Sequence, residues 1–304
     1  MQAIDIVGFS IAEIQKYWPE FEAALGEFFP MTTVFGIPFL DVGAYWAFIS
    51  QGSQFGWQFP LSGTFPFVQS PLTITTTPDA TYEPLWDLAI ETLAMGFVGT
   101  VLGFPLAMLF GVLGSERVTP FPFNFIFRGV MSTIRAIPAL IWALIYIPLG
   151  GLSPFTAVLA IGTDTVGNMG RLFTDELEEV EDGPIEGIES TGANRPQTIV
   201  FGMLSQVYTS FIAWALYILE INTRIAVTMG LIGAGGIGQV LRSEQRFFNG
   251  TNILATILVI LVLVVSVEMI SQRTRAYLRG EWEPMSMMEL LVGFPRRMAE
   301  SLTK

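Results

Sequence analysis

Four long apolar segments without any charged residue constrain this chain more than any other feature of its sequence. They cover residues 92–115, 136–163, 202–219 and 251–267. The hydrocarbon core of a bilayer is about 30 Å thick and an α-helix rises about 1.5 Å per residue, so roughly 20 apolar residues cross it. Only 14% of the residues are charged, against about 25% in an average soluble domain. The sequence therefore predicts an all-α, polytopic transmembrane helical bundle.

The second charge-free segment is too long for one helix. A Gly-Gly-Leu-Ser-Pro sequence at residues 150–154 predicts a tight turn within it. We therefore predict five spans, near residues 88–114, 124–149, 154–173, 205–224 and 251–270. These spans make up a predicted transmembrane domain of residues 85–279.

The distribution of arginine predicts the orientation of the bundle. Residues 1–84 contain no arginine and one lysine, Lys16, whereas Arg273, Arg275 and Arg279 follow the last span directly. Because short cytoplasmic segments carry an excess of basic residues, the C-terminus is expected in the cytoplasm. Counting five spans backwards places residues 1–84 outside and the loop of residues 175–206 inside.

The two ends of the chain carry weaker signals. Residues 31–50 are apolar enough for a sixth span, but they contain Pro38 and Asp41, so an external or interfacial segment is favoured and a span stays open. The tail, residues 280–304, has apolar residues at helical spacing beside Arg296 and Arg297. This pattern predicts an amphipathic helix on the inner leaflet.

Several residue types that carry chemistry are missing. The chain has no cysteine and no histidine, so disulfides, thiolate or imidazole metal ligands and a cysteine nucleophile are excluded. We predict no catalytic residue and no metal site. The chain has 27 acidic residues and 15 basic residues. This negative balance makes nucleic acid an unsuitable partner. Lys16 and Lys304 are the only lysines, which fits either a high-salt organism or biased codon usage.

A glycine-rich run follows the fourth span. Gly233, Gly235 and Gly238 spell G-x-G-x-x-G, with Gly236 between them. A dinucleotide-binding turn needs a βαβ unit and an acidic residue about 20 positions later, but position 253 is isoleucine. Two interpretations remain: a flexible turn at the outer face, or small residues that let broken helices cross while free backbone amides bind an anion.

The loop of residues 175–206 has internal structure. An Asp-Gly-Pro turn at residues 182–184 precedes a predicted short helix over residues 185–190, which is stopped by Gly192 and by Asn194-Arg195-Pro196. A helix, a glycine break and another helix would make a rigid cytoplasmic elbow. An ordinary acidic loop is the alternative.

Placing an ionisable residue within a membrane span costs free energy, so such residues are functional candidates. Glu220 and Arg224 are spaced i, i+4 and are expected to pair, either as a lock between helices or with Arg224 presented to an oxyanion. Asp164 is expected to pair with Arg171 or Arg135, or to bond the hydroxyls of residues 163 and 165. Arg135 itself suits an arginine that sets topology at a span end.

Two motifs resemble a known family. Glu186, Gly192 and Leu204 match the loop of ABC-importer permeases that reads E-A-A, three residues, Gly, nine residues, I-x-L-P; the rest of that stretch includes Gly187, Ile188, Glu189 and Ala193. Downstream, Glu220, then Asn222 and Arg224, and then the glycine run are similar to the phosphonate-importer permeases. Arg135 before Ala-Ile-Pro resembles that family as well. Asp164 stands where that family is expected to have histidine, and the family's additional N-terminal span is not evident.

The resemblance implies a permease subunit of an ATP-driven importer in the cell membrane, for phosphonate or a related phosphorus oxyanion. It also implies a second permease copy in a homodimer, cytoplasmic ATP-binding subunits and an extracytoplasmic substrate-binding protein. ATP and Mg would bind those subunits, because no G-x-x-x-x-G-K-[ST] phosphate loop occurs in this chain. Residues of the translocation path would be Asn222 and the glycines of the run, which are Gly233, Gly235, Gly236 and Gly238. The charged candidates for the path are Asp164, Glu220, Arg224 and Arg135. A permease for methionine or a quaternary amine, and a stand-alone channel, are the alternatives.

Overall fold

The structure, a computed structural model, describes residues 11–34, 37–52 and 84–278. The predicted amphipathic tail, residues 280–304, lies outside the described residues, as does Arg279. Eleven helices, one π-helical segment and one hairpin are described in this part of the chain.

A small unit of two helices and a hairpin precedes the bundle. Its elements are α1 (Ile11–Phe28), β1 (Met31–Val34), β2 (Ile37–Leu40) and α2 (Val42–Gln51). The strands pair antiparallel, with Met31 opposite Leu40. Asp41, which the sequence analysis counted against a span, caps α2 by accepting a hydrogen bond from the amide of Ala44 at 3.1 Å. Ten residues of helix are about 15 Å long, so residues 31–50 do not form a single spanning helix.

Nine further helices form the bundle and the loops at its ends. They are α3 (Leu85–Gly114), α4 (Phe123–Ala136), α5 (Ala139–Gly150), α6 (Pro154–Glu178), α7 (Asp182–Glu189), α8 (Arg195–Gln197), α9 (Ser205–Ile232), α10 (Gly236–Arg246) and α11 (Gly250–Leu278), with a π-helical segment (Thr198–Leu204) between α8 and α9. The starts of α3 and α11 lie at one end of the bundle with α10 and the N-terminal unit, as the cluster of Leu85, Tyr45, Ile237 and Ala255 indicates. The short helix α7 follows the other end of α6.

Three described helices are long and apolar enough to cross a membrane: Leu85–Gly114, Arg195–Ile232 and Gly250–Leu278. A fourth candidate is the pair α4 and α5, which are bent by 90° at the break between them. The span predicted over residues 124–149 is therefore broken into two helices with a sharp bend between them. Ile137 precedes Pro138 and adopts an extended conformation with φ −101° and ψ 115°, because the proline ring disfavours a helical residue before it.

The predicted break at residues 150–154 is confirmed. Helix α5 ends at Gly150, Gly151 has φ +68°, and α6 begins at Pro154 behind a capping box formed by Ser153 and Thr156. Serine at the N-cap and proline in the first turn are the residues that favour such a helix start.

The third predicted span, over residues 154–173, corresponds to α6, which is the most enclosed helix of the bundle. Fifteen of its 25 residues are buried, and it packs along α3 through small residues on both helices. A Cβ on Gly103 would lie 2.6 Å from the carbonyl oxygen of Gly162, and one on Gly111 would lie 2.8 Å from that of Gly170. Small residues allow this close approach between membrane helices. Because protein surrounds α6, it tolerates more polar residues than the lipid-facing helices do.

Candidate functional site

Asn222 joins three helices at the centre of the bundle. Its side chain is 1% exposed, and its Nδ2 donates to the hydroxyls of Thr100 on α3 and Thr165 on α6, both at 2.8 Å. Each threonine hydroxyl donates in turn to a carbonyl one turn earlier in its own helix. Asn222, which the sequence analysis predicted to line the translocation path, therefore links α3, α6 and α9 through its hydrogen bonds. No periodicity in the sequence marks either threonine as its partner.

Glu220 is the centre of a charged cluster between α9 and α11. Arg224 NH2 lies 2.5 Å from Glu220 Oε1, which confirms the predicted i, i+4 pair. Arg275 on α11 lies 3.5 Å from the other oxygen of Glu220, and Glu268 lies 3.8 Å from Arg224. Arg275 was interpreted from sequence only as a marker of topology. The cluster holds two acids and two bases, so its geometry is that of a clamp between α9 and α11.

Asp164 is bonded along its own helix. Asn168 Nδ2 donates to Asp164 Oδ2 at 2.9 Å, whereas Arg171 pairs with Asp175 at 3.0 Å. The predicted pairing of Asp164 with Arg171 or Arg135 was therefore wrong. Residues spaced i, i+4 lie side by side on a helix, and Asp164 and Arg171 are seven positions apart.

The two hydroxyls beside Asp164 are also engaged elsewhere. Thr163 shares a 2.7 Å hydrogen bond with Tyr146 on α5, and Thr165 accepts from Asn222. Arg135 lies in the last turn of α4, at the bend before α5, and is exposed. It forms no ion pair with any residue that the structure describes.

The glycine run forms the turn between α9 and α10. Gly233, Gly235 and Gly236 have φ of +107°, +101° and +66°, a region that suits glycine because it has no Cβ. A Cβ on Gly238 would lie 2.0 Å from the carbonyl oxygen of Val227, so only glycine lets α9 and α10 cross this closely.

The amides of this turn are not free. The Gly236 amide donates to Glu91 Oε2 at 3.2 Å, and the Ile237 amide donates to Thr92 Oγ1 at 2.9 Å. These side chains of α3 satisfy donors that the start of α10 leaves unpaired. The interpretation of the run as a nest of free amides for an anion was therefore wrong, while the crossing of broken helices is observed.

The predicted elbow has the expected order of a helix, a glycine break and a second helix. Helix α7 begins at Asp182 rather than at 185, so Asp182, Gly183 and Pro184 form its first turn instead of a separate turn; proline's fixed φ suits that position. Gly192 has φ +83°. The next helix starts behind Asn194, which accepts from the amide of Gln197.

Contacts on both sides hold the elbow. Arg117, in the loop between α3 and α4, pairs with Asp182 at 2.6 Å, and Arg195 donates to the carbonyl of Val118 at 3.0 Å. At the base of α9, Gln206 accepts from the amide of Glu181 at 3.1 Å and donates to the Glu181 carbonyl at 3.2 Å.

The outer face of α7 is open. Glu186, Gly187 and Glu189 are exposed, whereas Ile188 is half-buried with its Cδ1 close to Gly202 in the π-helical segment. Of the remaining residues in the motif, Ala193 is half-buried beside Gly192, and Leu204 packs against the core below. One face of α7 is therefore anchored and the other is available to a partner.

Most of this chain is similar to known membrane transport proteins. Residues 99–278 match the family model described as the inner membrane component of binding-protein-dependent transport systems. The phosphite transport system permease protein PtxC of Stutzerimonas stutzeri is 31% identical over 191 residues, which cover 62% of this chain and 70% of PtxC. The phosphate-import permease protein PhnE of Mycolicibacterium smegmatis is 31% identical over 225 residues, which cover 74% of this chain and 41% of PhnE.

A solved structure shares the fold. A chain of the inward-facing MetNI methionine ABC transporter, in its CY5 native crystal form, aligns with a TM-score of 0.58 and 22% identity. The alignment covers 64% of this chain and 95% of the MetNI chain. Taken with the family match and the apolar helices, this shows that the chain is a multi-pass membrane protein that belongs to the family of inner membrane components of binding-protein-dependent transport systems.

Proposed function

We propose that this chain is the permease subunit of an ATP-driven ABC importer that carries phosphonate or a related phosphorus oxyanion across the cell membrane. The observation that carries the proposal is the family match over residues 99–278, together with relatives named for the transport of phosphite and phosphate. The elbow at α7 supports it, since a permease without its own ATPase needs a surface through which a motor can act.

The elbow is suited to transmit force into the bundle. Arg117–Asp182 ties α7 to the α3–α4 loop, and Gln206–Glu181 ties it to the base of α9. A push on the open face of α7 therefore reaches α3 and α9 together. Two packed arrangements of the bundle, exchanged by rigid-body rocking, would give alternating access.

The proposed assembly contains two copies of this chain, two ATP-binding subunits at the elbows and a binding protein at the opposite end. The elbow and the C-terminus face the cytoplasm in this arrangement, as the arginine distribution predicts. ATP and Mg bind the ATP-binding subunits.

The proposal is tested with the purified transporter, co-expressed with its ATPase and binding protein and reconstituted in liposomes. We expect methylphosphonate or phosphite to stimulate ATP hydrolysis and to accumulate inside only when ATP is supplied. Methionine and choline serve as matched substrates of the other solute classes. Stimulation by either of these instead would favour the alternative importers, and uptake that persists without the ATPase would indicate a channel.

A further inference from the structure

An arginine side chain lies beside the glycine turn between α9 and α10. Arg242, on α10, has its NH1 atom 3.0 Å from the position that a Cβ on Gly233 would occupy. Glycine at this position therefore leaves room for the guanidinium beside the turn. Arg242 is half-buried, and it forms no ion pair with a carboxylate of the described residues.

Two acidic side chains close to this turn have other hydrogen-bond partners. Glu244, two positions along α10, is 6% exposed, and its Oε2 accepts from the amides of Asn249 and Asn252 at 2.8 and 2.9 Å. Glu91 accepts from the Gly236 amide at 3.2 Å. Residues two positions apart do not share a helix face, so the Arg242 face of α10 lacks the charge of Glu244.

A second cation extends this face. Arg246 lies one turn beyond Arg242, is exposed, and likewise makes no ion pair within the part of the chain that the structure describes. Positions i and i+4 are neighbours on a helix. In a chain with a net charge of −12, five other described arginines are paired with carboxylates; they are Arg117, Arg128, Arg171, Arg224 and Arg275. Two neighbouring unpaired arginines leave a local positive site.

The two arginines lie at the end of the bundle opposite the elbow, and this end is called the mouth of the bundle below. Gly233 ends α9, and its missing Cβ would also lie 3.9 Å from Leu152 in the α5–α6 turn. That turn, residues 151–153, carries no charge. The guanidinium of Arg242 therefore lies where two interhelical turns meet at the end of the bundle.

We propose that Arg242, assisted by Arg246, binds a tetrahedral phosphorus oxyanion at this mouth. This inference rests on the proposed function for its identification of the substrate. A guanidinium presents a planar fork of donors that matches two oxygens of a phosphonate or phosphate group, with bonds strengthened by charge. The same chemistry suits the phosphate of a phospholipid headgroup at the membrane surface, so the experiment distinguishes the two sources.

The first arm measures transport by the reconstituted complex as a function of methylphosphonate concentration. We expect Arg242→Gln to raise KM about tenfold, which corresponds to about 1.4 kcal/mol, with a smaller change in kcat. Arg242→Lys is expected to recover part of the loss because it keeps the charge without the fork. Arg246→Gln is expected to raise KM a few-fold, and Gln245→Ala, on the same helix, is the matched control.

The second arm measures thermal stability in dodecyl maltoside, a detergent without phosphate, with and without added phosphatidylglycerol. If the site holds a lipid headgroup, the lipid stabilises the wild type and not Arg242→Gln, and the two share one KM for methylphosphonate. If Arg242→Gln changes neither KM nor the response to lipid, the site is overturned. A wild-type complex that fails to transport methylphosphonate contradicts the proposed function instead, and the lipid arm still tests the site.

Discussion

Replacing Asn222 by alanine tests the junction of α3, α6 and α9 quantitatively. The substitution removes two hydrogen bonds of 2.8 Å, to Thr100 and Thr165. Both hydroxyls keep their own acceptors, since each donates to a carbonyl of its own helix. The loss therefore leaves no threonine donor unsatisfied, and the penalty is that of the two interhelical bonds and a small cavity.

The expected magnitude follows from measured interhelical bonds in membrane proteins. Such a bond contributes about 0.6 kcal/mol on average and about 1.7 kcal/mol at most. Two bonds give about 1–3 kcal/mol of lost unfolding free energy for Asn222→Ala. Each pair, taken separately, should show a coupling of about 0.6 kcal/mol in a double-mutant cycle.

The assay is unfolding by SDS in mixed micelles, with cycles of Asn222→Ala against Thr100→Val and against Thr165→Val. Thr174→Val is the matched control, because the Thr174 hydroxyl donates to carbonyls of Gly111 and Gly170 and does not contact Asn222. The control cycle should be additive. Additivity within about 0.3 kcal/mol in both test cycles would refute the three-helix junction.

Three other substitutions test other parts of the structure. Glu220→Gln should cost about 1–3 kcal/mol in the same SDS assay, less than a fully buried pair because one of its arginine partners is half-exposed. Gly192→Glu should let ATP hydrolysis persist while uptake falls, and Gly187→Ala, where a Cβ meets nothing within 4 Å, should leave both unchanged; full uptake by Gly192→Glu would exclude the elbow. Gly238→Ala should cost more than about 2 kcal/mol through overpacking, and wild-type stability would contradict the close crossing at Val227.

The sequence by itself determined the elements that depend on local composition. Charge-free runs predicted the helices now observed over Leu85–Gly114, Ser205–Ile232 and Gly250–Leu278, because hydropathy over a 20-residue window reports whether a helix can enter lipid. The turn at residues 150–154 and the short helix at the elbow followed from glycine, proline and capping residues. The 90° bend after α4 was also marked by a proline, at Pro138, but the apolar character of the segment outweighed that signal.

Only the tertiary structure decided which polar groups meet. The partners of Asn222 are 122 and 57 positions away, and the carboxylate at the Gly236 amide is 145 positions away. These contacts depend on the rotation and depth of each packed helix, which hydropathy and spacing within one segment do not specify. For the same reason Asp164 bonds Asn168 rather than an arginine, and Arg275 reaches into the bundle. Local sequence fixes a helix and its apolar face, whereas packing against other helices fixes which of its polar atoms are already satisfied and which remain for a ligand.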